Sequence, residues 1–226
     1  MHFVFEPHVP SVAVQGSDKR FPVHRIYCVG RNYADHAREM GANPEREAPF
    51  FFCKPADAVV ANHSTLPFPP RTQDLHHEIE LVVAIDKSGK DLTLEQAQAS
   101  IFAYAVGLDL TRRDLQAQAK QQKRPWDTAK GFDGSAPLSA LTPAAQIGWL
   151  DSGTISLSVN GEERQRGDIS DLIWSVPEIL VELSTLFCLR PGDLVFTGTP
   201  AGVGPINPGD QLLGCIAGLE PLHVSF

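Results

Sequence analysis

The run His76-His77-Glu78-Ile79-Glu80-Leu81-Val82-Val83-Ala84-Ile85 constrains this chain more than any other stretch. Its body is apolar and rich in β-branched side chains, the composition of a strand buried on both faces. Successive side chains of a strand point to opposite faces, so Glu78 and Glu80 share one face at the head of the run. Two carboxylates held together repel, and burial sharpens the conflict. A hard cation such as Mg²⁺, Mn²⁺ or Ca²⁺ resolves it, because such ions take oxygen ligands. On a surface strand the same pair would be solvated, and the pattern alone does not separate the two cases.

The remaining sequence reads as many short strands. The 226 residues include 18 glycines and 18 prolines, punctuation too dense for a helical bundle. Residues 1–24 read as a proline-interrupted N-terminal arm with one strand near Phe3–Phe5, and residues 25–226 as a single domain. Strands are predicted at Ile26–Val29, Phe50–Lys54, Ile101–Leu110, Ile155–Val159, Leu194–Thr197, Leu212–Ile216 and His223–Phe226, with Asn160-Gly161 as a hairpin turn. Short helices are predicted over residues 34–40, ended by Gly41, and over Leu92–Ser100 and Asp114–Gln122. The clearest helix starts at Ser175, where Ser175-Val176-Pro177-Glu178 fits a capping box. Its stripe of Ile179, Leu180, Leu183, Leu186 and Phe187 is predicted to face the core. The expected class is α+β and β-rich, with antiparallel or mixed sheets and a few short peripheral helices.

A net charge of −8 argues against non-specific nucleic-acid binding. There is no apolar run of 18 residues and no charged-then-apolar leader, so neither a membrane span nor a secretory signal is expected. Cys28, Cys53, Cys188 and Cys215 form no C-x-x-C pair and sit among apolar neighbours. They are expected as buried, unpaired thiols of a cytoplasmic protein.

Other residues carry candidate chemistry, each with a plainer alternative. Asp109 ends the Ile101–Leu110 run and, as a third carboxylate, would fill half of an octahedral shell. It would equally serve as a helix cap. His36 and Glu39 share a helical face, where they suit activation of a water or a surface pair of little consequence. Lys130, beside Gly131-Phe132, suits stabilisation of an enolate or oxyanion, or plain solvation. The glycine-rich Thr197–Gly204 segment is neither a P-loop nor a Rossmann fingerprint. Its hydroxyls and backbone N–H groups suit a carboxylate, and its glycines suit a tight turn. His76 and His77 face opposite ways on a strand and cannot both join the glutamates. No G-x-S-x-G occurs, and no cysteine has a charged, activating context.

Six stretches, taken in order, resemble one family. They are Tyr27-Cys28-Val29-Gly30-Arg31-Asn32-Tyr33-Ala34-Asp35-His36, Phe52-Cys53-Lys54-Pro55, His77-Glu78-Ile79-Glu80-Leu81, Gly107-Leu108-Asp109-Leu110-Thr111-Arg112-Arg113-Asp114-Leu115-Gln116, Ala129-Lys130-Gly131-Phe132-Asp133 and Pro191-Gly192-Asp193-Leu194-Val195-Phe196-Thr197-Gly198-Thr199-Pro200. The ordered set resembles the fumarylacetoacetate hydrolase family over residues 26–226. The resemblance implies a mixed β-sandwich roll, usually a homodimer, holding Mg²⁺ or Mn²⁺ through Glu78, Glu80 and Asp109. It implies His36, Glu39 and Lys130 as catalytic groups, with the His36–Glu39 segment ordering as a lid. It implies Arg31, Asn32, Arg113, Gln116 and Thr199 as substrate-facing groups. The activity implied is hydrolysis of the C–C bond of a 3-acylpyruvate, with fumarylpyruvate, of gentisate-type aromatic breakdown, as the expected substrate. Oxaloacetate decarboxylation or tautomerisation is the alternative within the family, and metal-dependent 2-oxoacid binding without turnover is the alternative outside catalysis. A substrate with a second carboxylate needs a cation at the far end of its pocket, and Arg31, Lys54, Lys123 and Arg124 are unranked candidates.

Overall fold

Every residue of the strand Ile79–Ile85 is buried, and its alternation sorts two cores. Ile79, Leu81, Val83 and Ile85 enter a larger apolar cluster, while Val82 and Ala84 enter a smaller one on the opposite face. The neighbouring strands obey the same parity. Tyr104, Val106 and Leu108 oppose Ala103 and Ala105, and Tyr27 and Val29 oppose Ile26 and Cys28. Two-sided burial is what a β-branched run without polar alternation demands. The computed structural model describes residues 2–39 and 47–226, and the expected helix stop at Gly41 lies outside them.

The central sheet runs Thr142–Pro143, Ile101–Leu108, Ile79–Ile85, Asp193–Phe196, Arg25–Gly30, Phe50–Lys54. It is mixed, since Asp193–Phe196 lies parallel to Arg25–Gly30 and antiparallel to Ile79–Ile85. A second sheet, ordered Glu162–Asp168, Thr154–Val159, Gln211–Ile216, Leu222–Ser225, Ser64–Thr65, covers the larger-core face with Ile155, Leu157, Leu212 and Val224. Its Gly214 packs closely against the central sheet. A Cβ there would meet Ile79 Cδ1 and Val106 Cγ1, each at 3.1 Å, so a side chain would push the layers apart. The helix Val176–Leu186 closes this core with fully buried Ile179, Leu180 and Leu183, each contributing about 1.5–3 kcal/mol of burial. Ser175 and Glu178 form the expected capping box.

The other face of the central sheet is covered by a hairpin, Ser11–Ala13 with Arg20–Pro22. Its Val12 and Phe21 join the smaller core together with Val23. The chain is thus α+β and β-rich, as expected, and Asn160 and Gly161 turn their hairpin at φ 53° and 81°. No helix among the described residues is long and apolar enough to cross a membrane.

Three local expectations are corrected. Phe3–Phe5 forms no strand and its side chains are exposed; the first strand is Ser11–Ala13, beyond the flanking Pro7 and Pro10. The apolar stripe of the last helix stops at Leu183. Leu186 is 63% exposed at the helix end, and Phe187, already in extended backbone, lays its ring 5.1 Å from that of Tyr27. All four cysteines are unpaired, but only Cys28 is buried; Cys53 and Cys188 are exposed. Cys53 lies on the outermost strand of its sheet, Phe50–Lys54, which leaves it exposed.

The fold brings three strand ends to one place. Glu78 occupies the break between Leu75–His77 and Ile79–Ile85. Asp109 follows Ile101–Leu108, paired so that Ile79 opposes Leu108 and Glu80 opposes Gly107. Gly198 follows Asp193–Phe196, whose Phe196 opposes Val82.

Candidate active site

Glu78, Glu80 and Asp109 are all buried, and each offers an oxygen within 4.8 Å of the others. Glu80 shares the face of Val82 and Ala84, as the strand period requires. Asp109 caps no helix: the helix Arg113–Gln121 starts after Arg112, with no side-chain cap. The cluster is laced with cations. Lys130 Nζ donates to Glu78 Oε2 at 2.8 Å, to Asp109 Oδ2 at 2.6 Å and to Thr111 Oγ1 at 2.6 Å. Arg113 Nη2 donates to Glu78 Oε1. Lys54 Nζ lies 2.8 Å from Asp109 Oδ1, outside hydrogen-bonding alignment.

These partners split the titrations. Burial alone would raise the Glu78 carboxyl, but the Lys130 and Arg113 charges outweigh it and hold the group well below the usual range. Burial also opposes the charge on Lys130, yet Asp109 and Glu78 raise its pKa. Glu80 is different. Its partner is the Gly198 N–H at 2.8 Å, and burial, Asp109 and Glu78 together push its carboxyl well up. The cluster therefore fits a divalent cation on two observations. Glu80 has no ion-pair partner among the described residues, and Asp109 Oδ1 is a buried acceptor with no aligned hydrogen bond, facing only the Lys54 ammonium at 2.8 Å. A donor set of carboxylate oxygens alone suits Mg²⁺ or Mn²⁺.

These groups form the floor of a cleft whose walls carry most of the remaining residues singled out in the sequence. His36 is buried and lines it, with Nδ1 3.2 Å from Glu39 Oε2. Glu39 stands behind His36, its carboxylate also accepting the Gly202 N–H at 3.2 Å. Arg113 Nη1 donates to Gln116 Oε1 at 2.7 Å, which leaves the Gln116 NH₂ for the cleft that Gln116 lines. His76 lies outside the cluster; its Nε2 is 2.9 Å from Asp74 and its Nδ1 faces Arg113 Nε. Desolvation and the Arg113 charge lower its pKa, and its Nδ1, accepting from Arg113 Nε at 3.4 Å, steadies that guanidinium.

Asn32 is not brought into the cleft. Its amide donates to the carbonyls of Trp174 and Thr197 and accepts the Trp174 N–H. It thereby clamps the loop that presents Gly198. Gly198 has φ +103°, and a Cβ there would lie 2.7 Å from Asn32 Cβ, so this position requires glycine. The backbone N–H groups of the glycine-rich loop do hold carboxylates, those of Glu80 and Glu39.

Three participants were not singled out as site residues from sequence. Lys54 was weighed only as a distal cation, but it is buried against Asp109. Its period-2 relation to Phe50 and Phe52, which line the cleft, is the signal that places it. Gln165 is buried, and its Oε1 accepts the Ile79 N–H while its Nε2 donates to the Pro200 carbonyl. Those backbone partners fix the amide's orientation, so Nε2 must also donate to Thr199 Oγ1 at 2.8 Å. The Thr199 hydroxyl proton is then free for the cleft that Thr199 lines. His77 Nδ1 meets the same Oε1 at 2.9 Å and must carry its proton there. Lys120 lines the rim with Arg31, Phe50 and Trp126. Lys123 does not line the cleft, and Arg124 lines an adjoining groove.

A family profile, Fumarylacetoacetate (FAA) hydrolase C-terminal, matches residues 25–225. The chain is 57% identical to the fumarylpyruvate hydrolase of Pseudomonas aeruginosa, whose crystal structure is in complex with Mn²⁺ and pyruvate. The two superpose with a TM-score of 0.96, covering 99% of this chain and 98% of that one. Over 199 residues it is 43% identical to the oxaloacetate tautomerase of Escherichia coli (strain K12), covering 88% of this chain and 90% of the relative. Over 179 residues it is 41% identical to the fumarylpyruvate hydrolase of Ralstonia sp, covering 79% and 93%. The chain therefore belongs to the fumarylacetoacetate hydrolase family and has that family's mixed α+β fold.

Proposed function

We propose that the protein is a metal-dependent hydrolase of 3-acylpyruvates, with fumarylpyruvate as its substrate and fumarate and pyruvate as products. The observation that carries this reading is the His36–Glu39 pair, held 3.2 Å apart at the wall of a cleft floored by three carboxylates. Hydrolysis needs a base for water beside a site that stabilises an enolate, and the cleft offers both.

Glu78, Glu80 and Asp109 would hold Mg²⁺ or Mn²⁺, which when bound supplies Lewis-acid stabilisation of negative charge on the 2-oxoacid head. Arg113, Gln116 and the Thr199 hydroxyl orient that head. The His36–Glu39 dyad takes a proton from water as the water oxygen bonds to the distal carbonyl carbon. The C–C bond then breaks with its electron pair on the pyruvate side, and the resulting enolate takes up a proton. Lys130 bridges two of the floor carboxylates, Glu78 and Asp109, and balances them throughout. Lys54 and Arg113 do the same from below and beside. The reading extends to a homodimer, which light scattering of the purified chain tests.

The 43% identity to an oxaloacetate tautomerase favours a second reading, enolisation of oxaloacetate without an attacking water. Comparing kcat/KM for fumarylpyruvate, acetylpyruvate and oxaloacetate under one set of conditions separates them. Fumarylpyruvate is expected to lead. A clear preference for oxaloacetate transfers the protein to the tautomerase reading.

A further inference from the structure

The cations around the cleft differ in what holds them. Lys54, Lys130 and Arg113 each touch a carboxylate of the floor. Lys120 and Arg31, at the rim, touch no carboxylate among the described residues. Lys120 Nζ stands 5.2 Å from the centre of the Trp126 ring, and Arg31 Cζ 5.6 Å from that of Phe50. A rim of cations and aromatic faces with no anion among the described residues is half of an ion pair.

Its placement along the helix Arg113–Gln121 gives a distance. Arg113, Gln116 and Lys120 stand at i, i+3 and i+7, a single helical stripe, and all three line the cleft. At 1.5 Å per residue the step from Arg113 to Lys120 is roughly 10 Å. Arg113 is anchored on Glu78, so the stripe starts at the metal-ligating floor and ends at the rim. A fully extended seven-carbon chain spans about 7–8 Å at carbon–carbon bonds of about 1.5 Å. One charge-assisted hydrogen bond adds about 3 Å. The sum matches the stripe.

We propose that Lys120 recognises the far carboxylate of a linear seven-carbon 2-oxo dicarboxylate whose head lies on the Glu78–Glu80–Asp109 floor. The inference rests on the acylpyruvate reading for the identity of the head and adds the identity of the tail's partner. Arg31 is a second cation at the same rim. The edge-to-face pair of Phe50 and Trp126, with ring centres 5.5 Å apart, offers flat surfaces to a conjugated trans-enoate. The other cations weighed for this role are excluded by position: Lys54 lies beneath Asp109, and Lys123 and Arg124 do not line the cleft. Desolvation and the Arg113 and Arg31 charges draw the Lys120 pKa down, the condition of an ammonium that gains from an anionic partner.

The test compares wild type, Lys120→Met and Lys120→Arg. The readout is the ratio of kcat/KM for fumarylpyruvate to that for acetylpyruvate, which has the same head and a neutral tail. Lys120→Met should lower this ratio at least about tenfold, and Lys120→Arg should keep it within about threefold. A ratio unchanged in Lys120→Met, whether both values fall or neither does, overturns the assignment. A second measurement does not need turnover: calorimetric binding of 2-oxoheptanedioate and 2-oxoheptanoate to the Mn²⁺-loaded protein. Wild type should prefer the diacid, and Lys120→Met should lose the preference. If wild type cleaves no acylpyruvate but shows this preference and its loss, the hydrolase reading fails and Lys120 keeps its role. If wild type cleaves fumarylpyruvate and Lys120→Met alters neither ratio nor preference, the role of Lys120 fails and the hydrolase reading stands.

Discussion

The floor and the rim of the cleft are built on opposite electrostatic plans. On the floor, the Glu78, Glu80 and Asp109 carboxylates meet the Lys54, Lys130 and Arg113 cations, and formal charge cancels. At the rim, Lys120 and Arg31 face aromatic rings and no carboxylate among the described residues. A divalent ion added to the floor leaves two positive charges, which a doubly ionised 2-oxo acid balances. The floor thus suits any reaction through a pyruvate-type enolate, and relatives that carry out hydrolysis and tautomerisation both match this chain over most of its length. The rim is where a substrate tail is told apart from its absence.

The largest effect should come from emptying the floor of its metal. Chelation should abolish turnover, and Mn²⁺ should restore it. Glu80→Ala should cost on the order of 10³-fold or more, while circular dichroism shows the fold intact. Undiminished activity with chelator present would falsify the metal reading. Next is the wall. Glu39→Gln keeps the size of the side chain and removes the base, so kcat should fall on the order of 10²-fold while pyruvate still binds. Wild-type turnover in that variant would leave the Glu39 carboxylate as a structural partner of His36 and the Gly202 N–H.

Floor and rim were unequally legible in the sequence. Glu78, Glu80 and Asp109 stand at the ends of apolar strands, where period-2 alternation puts the two glutamates on one face, and the ordered resemblance then separates a metal site from a solvated pair or, for Asp109, a helix cap. The main strands and the Ser175 helix follow from the same local patterns. Lys120 sits in a polar helix whose cleft-facing stripe is visible only once Arg113 and Gln116 are known to face the cleft. Gln165 reaches Thr199 from a strand of the other sheet, a pairing that no local pattern contains. Asn32 differs in the opposite sense. The resemblance implied a substrate contact, whereas the Asn32 amide is held by the backbone of Trp174 and Thr197.

A third test asks whether the floor reaches Thr199 through Gln165. Gln165→Leu should raise KM for acetylpyruvate roughly tenfold by freeing the Thr199 hydroxyl to rotate. Thr199→Val should do about the same, and Thr199→Ser should restore affinity. In the Thr199→Val background, Gln165→Leu should then cost little more. Additive losses would mean that Gln165 acts on the fold at large and not through that hydroxyl.

The smallest effect separates floor from rim without any substitution. Lys120 and Arg31 are exposed, whereas Lys54 and Lys130 are buried. Exposed charges are screened by salt and buried ones much less, with a Debye length of about 10 Å at 0.1 M falling to about 3 Å at 1 M. Raising ionic strength with an inert salt should therefore lower kcat/KM for fumarylpyruvate more than for acetylpyruvate. The ratio of the two should drift down by about twofold to threefold across that range, since the tail pair is a single exposed contact. Lys120→Met should flatten the drift. Equal salt dependence for both substrates would mean that the tail is read by shape alone, leaving the rim cations as ordinary surface charge.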